Sequence, residues 1–198
     1  MRRILTALAV VSLLAVCPNI AQATTLQFST VLSGLNETPT PVVTPGTGTA
    51  FVTLDTTALT MHVIVSFSGL LGASSASHIH CCGPLGTSQG VATTTPTFAG
   101  FPLGVTSGFY DQTLDMTLAS SYNPAFVTAH GGTIAQAQAD LFAGIIAGEA
   151  YLNVHSSLFP GGEIRGQLTP VPEPSSFIAL MAGVGFLALG VRRQRIVR

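Results

Sequence analysis

Between Leu59 and Ser68 the side chains change character at every step. Leu59, Met61, Val63, Val65 and Phe67 alternate with Thr60, His62, Ile64, Ser66 and Ser68, Ile64 being the one apolar member of the second set. A period of two separates the sets onto opposite faces of an extended strand and is incompatible with an amphipathic helix. Related runs occupy 26–32, 49–55, 110–118, 149–155 and 163–168. Asp55-Thr56-Thr57 reads as a hairpin turn between the second and third strands, and Pro39, Pro41, Pro45 and Gly46 mark a loop before the second. The segment 81–105, punctuated by glycine and proline, reads as a long surface excursion. One short helix is expected at 133–142, where Thr133 can cap and Ile134, Ala137, Leu141 and Phe142 share a face. The pattern predicts a mainly β domain, a Greek-key antiparallel β-sandwich or barrel with one short helix. An N-terminal signal helix and a C-terminal hydrophobic helix flank it.

Charge narrows the functional classes. Only 8% of the 198 residues are charged and lysine is absent. Six of the seven arginines sit at the ends. Between Thr24 and Pro170 the one cation is Arg165, against Glu37, Asp55, Asp111, Asp115, Asp140, Glu149 and Glu163, a net charge of −6. A domain this acidic cannot neutralise a phosphate backbone, which excludes nucleic acid as a partner. No phosphate-binding glycine loop, nucleophile elbow or defined catalytic triad is present, and no tryptophan offers a sugar platform.

The two ends read as addresses. Arg2 and Arg3 precede an apolar run from Ile4 to Val16, and Ala21-Gln22-Ala23 forms a small-x-small cleavage site: residues 1–23 are a secretory signal peptide, with the mature chain starting at Thr24. Cys17 follows Val16, a poor fit to lipoprotein processing. At the other end (171–198), Pro172-Glu173-Pro174 precedes fifteen apolar or glycine residues at 177–191 and then Arg192-Arg193-Gln194-Arg195. As a helix the apolar stretch spans roughly 22 Å, short of a ~30 Å hydrocarbon core. The arginines place the preceding domain, 24–170, on the outside. Pro-Glu-Pro, a short apolar helix and a basic tail in this order resemble the PEP-CTERM sorting signal of Gram-negative bacteria. That resemblance implies transient anchoring in the inner membrane, recognition by an exosortase-type membrane protease, and delivery to the cell surface or extracellular matrix. A plain C-terminal membrane anchor is the alternative.

Within the domain, Ser77-His78-Ile79-His80 has the spacing that points two imidazoles to one face of a strand, a half-site for copper or zinc. His155, closing Tyr151-Leu152-Asn153-Val154-His155, is a third candidate ligand. The bland alternative is that His78 and His80 bond loop carbonyls, Glu163 or Asn153 and hold no metal. Arg165 reads as the partner of Glu163, Glu149 or another carboxylate. His62 reads as a strand residue on the more polar face and His130 as a loop residue. Cys81 and Cys82 are adjacent in an oxidising compartment; a vicinal disulfide, bridges to other chains, and soft metal ligands all remain open.

His-Ile-His followed by Gly83-Pro84, and Asn153-x-His155 followed by Pro160-Gly161-Gly162-Glu163-Ile164-Arg165-Gly166-Gln167, resemble the two signature segments of the CHRD domain, first named from chordin. The likeness runs over about residues 32–168, with Cys81-Cys82 as a departure. It implies an extracellular β-domain in which Asn153, Gly162, Glu163, Arg165 and Gly166 are structural motif residues. A more distant likeness is to copper–zinc superoxide dismutases, and it matches His78, His80 and His155 to three copper ligands, with no bridging histidine assigned. Two functional readings follow. One is an exported, non-catalytic protein acting in surface or exopolysaccharide-matrix interactions, as in a biofilm. The other is a copper-binding or dismutase-like protein with a three-histidine site.

Overall fold

The computed structural model describes residues 25–172. The expected signal peptide at 1–23, Glu173, Pro174 and the apolar tail at 177–191 lie outside them. Strands β1 (Thr25–Ser33), β2 (Thr47–Asp55) and β3 (Thr60–Ser68) form an antiparallel meander. They are followed by β4 (Ser74–His80), β5 (Gly108–Asp115), helices α1 (Pro124–Ala129) and α2 (Ile134–Ile146), then β6 (Tyr151–Ser156), β7 (Ile164–Gln167) and the short β8 (Thr169–Pro170). All pairings are antiparallel and build one curled sheet in the order β4-β6-β7-β1-β2-β3-β5, with β8 also on β1. The mainly β architecture read from the alternating runs is therefore present as a half-barrel.

Register follows from the alternation. Ala50 faces Val65, Val52 faces Val63 and Leu54 faces Met61, and all six side chains are fully buried on the concave face. A slip by one residue would turn this row to water, so the hydrophobic pattern fixes the pairing. The β2–β3 turn is locked by Asp55, whose Oδ1 accepts the backbone N–H of Thr57 (2.9 Å) and Ala58 (2.7 Å). The expected helix is α2. Thr133 caps it by accepting from the Gln136 N–H, and Ala137, Leu141, Phe142 and Ile145 cover the core. A second helix that the sequence pattern does not predict, the six-residue α1, precedes it, started by Asn123 and Pro124.

The segment 81–105 is a long, largely exposed excursion, as its composition suggests, but it is pinned to the core. Ala92 and Phe98 are fully buried and Phe101 nearly so, and the segment runs along the free edge of β4, with Ala92 N–H bonding Ile79 O and Phe98 N–H bonding Ser77 O. Phe98 and Phe101 each approach the Tyr110 ring at 5.5 Å, filling the gap between edge strands β4 and β5. Glycine and proline announced irregular backbone; they carried no information on depth. Three apolar side chains reaching inward decided it.

Cys81 and Cys82 are bonded to each other, and their sulfurs rest on α2 at Gly144. A Cβ at Gly144 would lie 2.3 Å from Cys81 Sγ and 2.6 Å from Cys82 Sγ. Gly144→Val is therefore expected to cost about 1–3 kcal/mol through overpacking, read as a lower urea midpoint. An unchanged midpoint would mean that α2 lifts off the disulfide freely.

Candidate metal site

Most strands here bury one face, but β6 is buried on both. Leu152 and Val154 point to the concave core, while Tyr151, Asn153 and His155 point outward under the segment 81–105 and the 157–162 loop. On the neighbouring β4, His78 and His80 point the same way, Ile79 the other. The register sets Ala76 opposite His155, His78 opposite Asn153 and His80 opposite Tyr151. His155 is thereby a diagonal neighbour of His78. Ring centroids lie 4.7 Å apart for His78–His155, 5.4 Å for His78–His80 and 5.9 Å for His80–His155. The three residues are 6–8% exposed.

Each imidazole spends one nitrogen on a loop carbonyl. His78 Nε2 bonds Pro96 O (2.8 Å), His80 Nδ1 bonds Gln89 O (2.7 Å) and His155 Nδ1 bonds Pro160 O (2.9 Å). A carbonyl only accepts, so each of these nitrogens carries the proton, and in the neutral ring the other nitrogen bears a lone pair. Those other atoms, His78 Nδ1, His80 Nε2 and His155 Nε2, are all buried without a hydrogen-bond partner. One ring nitrogen from each residue lies within 4.8 Å of the other two. The bland expectation of carbonyl bonding is thus met by one nitrogen of each ring, and the same bonds hold the second nitrogens as three orphaned acceptors. Backbone carbonyls that orient metal-binding imidazoles in this way are the usual second layer of a metal site.

The rings are also held neutral. Burial, then the neighbouring His155, pushes His78 down to about 4, against the opposing Pro96 bond. Burial likewise takes His80 down to about 4, with His155 and the Arg165 guanidinium adding to it and the Gln89 bond opposing. Burial lowers His155 too. Neutral imidazole is the form that binds metal.

Beyond the imidazoles lies a layered wall. The Tyr151 ring stacks on His80 at 4.7 Å with an interplanar angle of 6°, and the Arg165 guanidinium lies 3.3 Å above the Tyr151 ring. Tyr151 Oη accepts the Gln89 N–H (3.0 Å), so the tyrosine steadies the same residue whose carbonyl holds His80. Arg165 makes no ion pair with Glu163 or Glu149; the carboxylate on which its charge acts is Glu37. The guanidinium donates to Thr38 Oγ1 and to Thr87 O (2.7 Å). Nearby, Asn153 Nδ2 contacts Glu37 Oε2 at 3.4 Å, and burial pushes the Glu37 carboxyl up to about 7 although Arg165 and Asn153 pull it down.

A CHRD domain family model matches residues 28–168. The chain belongs to the CHRD family. A second match, to the PEP-CTERM protein-sorting motif, covers 170–195; it implies export, recognition by an exosortase and transient membrane anchoring before release at the surface. Neither a search of curated proteins nor one of solved structures finds a match. Among the described residues no helix is long and apolar enough to cross a membrane.

Of the signature residues, Asn153 sits opposite His78, Gly162 packs on Asn153 and Arg165 stacks behind Tyr151, whereas Glu163 and Gly166 brace the sheet. Gly162, at φ 130°, passes so close to Asn153 that a Cβ would sit 2.4 Å from its amide nitrogen; only glycine fits both the conformation and the space. Gly166 sits opposite Leu152 in the β6–β7 ladder. Glu163 is fully buried and accepts from Thr44 Oγ1 (2.6 Å), Leu71 N (2.6 Å) and Gly72 N (3.3 Å). Burial alone would raise its carboxyl; these bonds and one from Ser156 outweigh it and hold it below the usual value. It therefore ties the β3–β4 connection to β7 as an anion.

Of the remaining candidates, His62 sits on an exposed strand face with Asp111 (2.7 Å), and His130 ends α1 with its ring on Phe126 and Nδ1 on Asp140 (2.9 Å). Neither joins the cluster. The bonded cysteines offer no thiolate to it. Sequence reasoning missed Glu37, Tyr151 and the carbonyls of Gln89, Pro96 and Pro160. None of these stands in a spacing that reports on a strand two positions away in the sheet.

Proposed function

We propose that this CHRD domain is an exported copper-binding module, held by His78, His80 and His155, that acts at the cell surface or in the exopolysaccharide matrix of a Gram-negative bacterium without catalysing a reaction. The observation that carries the reading is the cluster of three buried imidazoles, one nitrogen of each within 4.8 Å of the other two, each ring holding one nitrogen on a backbone carbonyl and leaving the other without a protein partner. Three buried acceptors grouped in one place call for a donor or an electrophile among them, a water or a metal ion. Imidazole suits copper and zinc. A trigonal ion about 2.0 Å from each nitrogen needs separations of about 3.5 Å, which a small inward movement of the rings supplies. Copper bound here would be immobilised outside the cell on a protein that the sorting tail addresses to the surface. The dismutase alternative lacks its second centre, because His62 and His130 are each engaged with an aspartate away from the cluster.

The test is metal analysis of the purified chain after exposure to copper and to zinc and removal of loose ions. About one copper per chain is expected. A chain that leaves dialysis free of both metals would end the reading.

A further inference from the structure

We propose that the site is built for monovalent copper, and that Arg165, acting through the Tyr151 ring, is the positioning residue that sets this preference. The inference rests on the copper-binding reading and adds the oxidation state to it. Its first support is the charge of the ligand set. Three neutral imidazoles contribute no negative charge, and the adjacent sulfurs, which as thiolates would have done so, are bonded to each other. Among the described residues no carboxylate joins the three imidazoles. The histidine–carboxylate contacts among the described residues are His62–Asp111 and His130–Asp140, both outside the cluster. Glu163 is engaged with Thr44 and the backbone of Leu71 and Gly72, and Glu37 with Asn153.

The second support is a fixed positive charge stacked behind one ligand. The guanidinium lies 3.3 Å from the Tyr151 centroid, and that ring lies 4.7 Å from the His80 centroid, nearly parallel to it. Arg165 is 3% exposed and anchored to Thr38 and Thr87, so solvent screens it weakly. Raising the bound ion from one to two charges adds one unit of repulsion with it. The stack puts the guanidinium about 8 Å from the His80 ring; at that separation and an effective permittivity near 20 the repulsion corresponds to a loss in binding of at most about thirty-fold, which the nearby Glu37 carboxyl reduces toward ten-fold. Coordination number points the same way. Three nitrogens complete a trigonal shell for a filled-shell monovalent ion, whereas zinc takes a fourth ligand.

The experiment titrates the purified chain anaerobically with Cu(I) against bicinchoninate, and separately with Cu(II) against a chelator of known affinity. The wild type should hold Cu(I) at least ten-fold more tightly than Cu(II). Arg165→Gln should narrow that ratio about ten-fold, and Arg165→Lys, which keeps the charge, should narrow it less. A wild type that holds Cu(II) as tightly as Cu(I) overturns this inference and leaves the copper-binding reading standing. So does an unchanged ratio in folded Arg165→Gln. Should neither variant fold, the wild-type ratio decides alone. Binding of neither ion ends both proposals.

Discussion

His155→Ala is expected to lower copper affinity at least a hundred-fold, measured by competition with a chromophoric chelator. Loss of an outer partner of a metal ligand commonly costs ten- to hundred-fold, and loss of a ligand itself must exceed that. His155 is the informative position because it comes from β6, whereas His78 and His80 share β4. Two imidazoles on one strand are a local accident of spacing; the third exists only through the β4–β6 register. His155→Gln keeps a polar side chain of similar reach and separates loss of coordination from loss of packing. His62→Ala, on the exposed face beside Asp111, should leave affinity unchanged. Equal copper affinity in His155→Ala and wild type would show that the metal, if bound, sits elsewhere.

The second large effect is on acid stability of the metal-free domain. His78 and His80 fall from 6.5 to about 4 on folding, chiefly through burial. Between those values the unfolded chain binds protons that the folded chain refuses, so stability is complete above pH 6.5 and declines as pH falls toward 4. Each histidine contributes at most about 1.4 kcal/mol per pH unit across that window. Glu37 runs the other way. Raised from 4.5 to about 7 by burial, it keeps a proton in the folded state that the unfolded chain has lost, and so gains stability as pH falls from 7 to 4.5. Two depressed imidazoles, with His155 depressed as well, outweigh one raised carboxyl. The net loss by pH 4 is on the order of 3 kcal/mol, a large part of the 5–15 kcal/mol of an ordinary domain. Urea midpoints at pH 7 and pH 4.5 measure it. Copper should protect the loaded domain, because binding requires the deprotonated rings. Equal midpoints would mean that water reaches the imidazoles in the folded state.

Much of the scaffold was legible in local pattern. Alternation from Leu59 to Phe67 marked β3 and its buried face, Asp55 marked the hairpin, and Thr133 with Ile134, Ala137 and Leu141 marked α2. In each case the cause lies within a few residues: pleat, side-chain capping or helical period. The half-site at His78 and His80 was legible for the same reason, since alternation alone puts both rings on one side. What local pattern did not carry involved distance along the chain. The 81–105 segment has the composition of a surface loop, yet Phe98 and Phe101 plug the gap between β4 and β5. Arg165, the one cation of an acidic domain, suggested an ion pair with Glu163, Glu149 or another carboxylate; its N–H groups go to Thr38 and Thr87 and its face to Tyr151, while its charge acts on Glu37.

Local sequence carries the PEP-CTERM motif, the strand and helix periods, the CHRD signature and the shared face of two histidines, because each is a matter of neighbours in the chain. Folding settles whether His155 stands with them, which nitrogens the Gln89, Pro96 and Pro160 carbonyls occupy, and that among the described residues no carboxylate joins the cluster. Those outcomes depend on strand register and loop closure across tens of residues, and no local propensity encodes them.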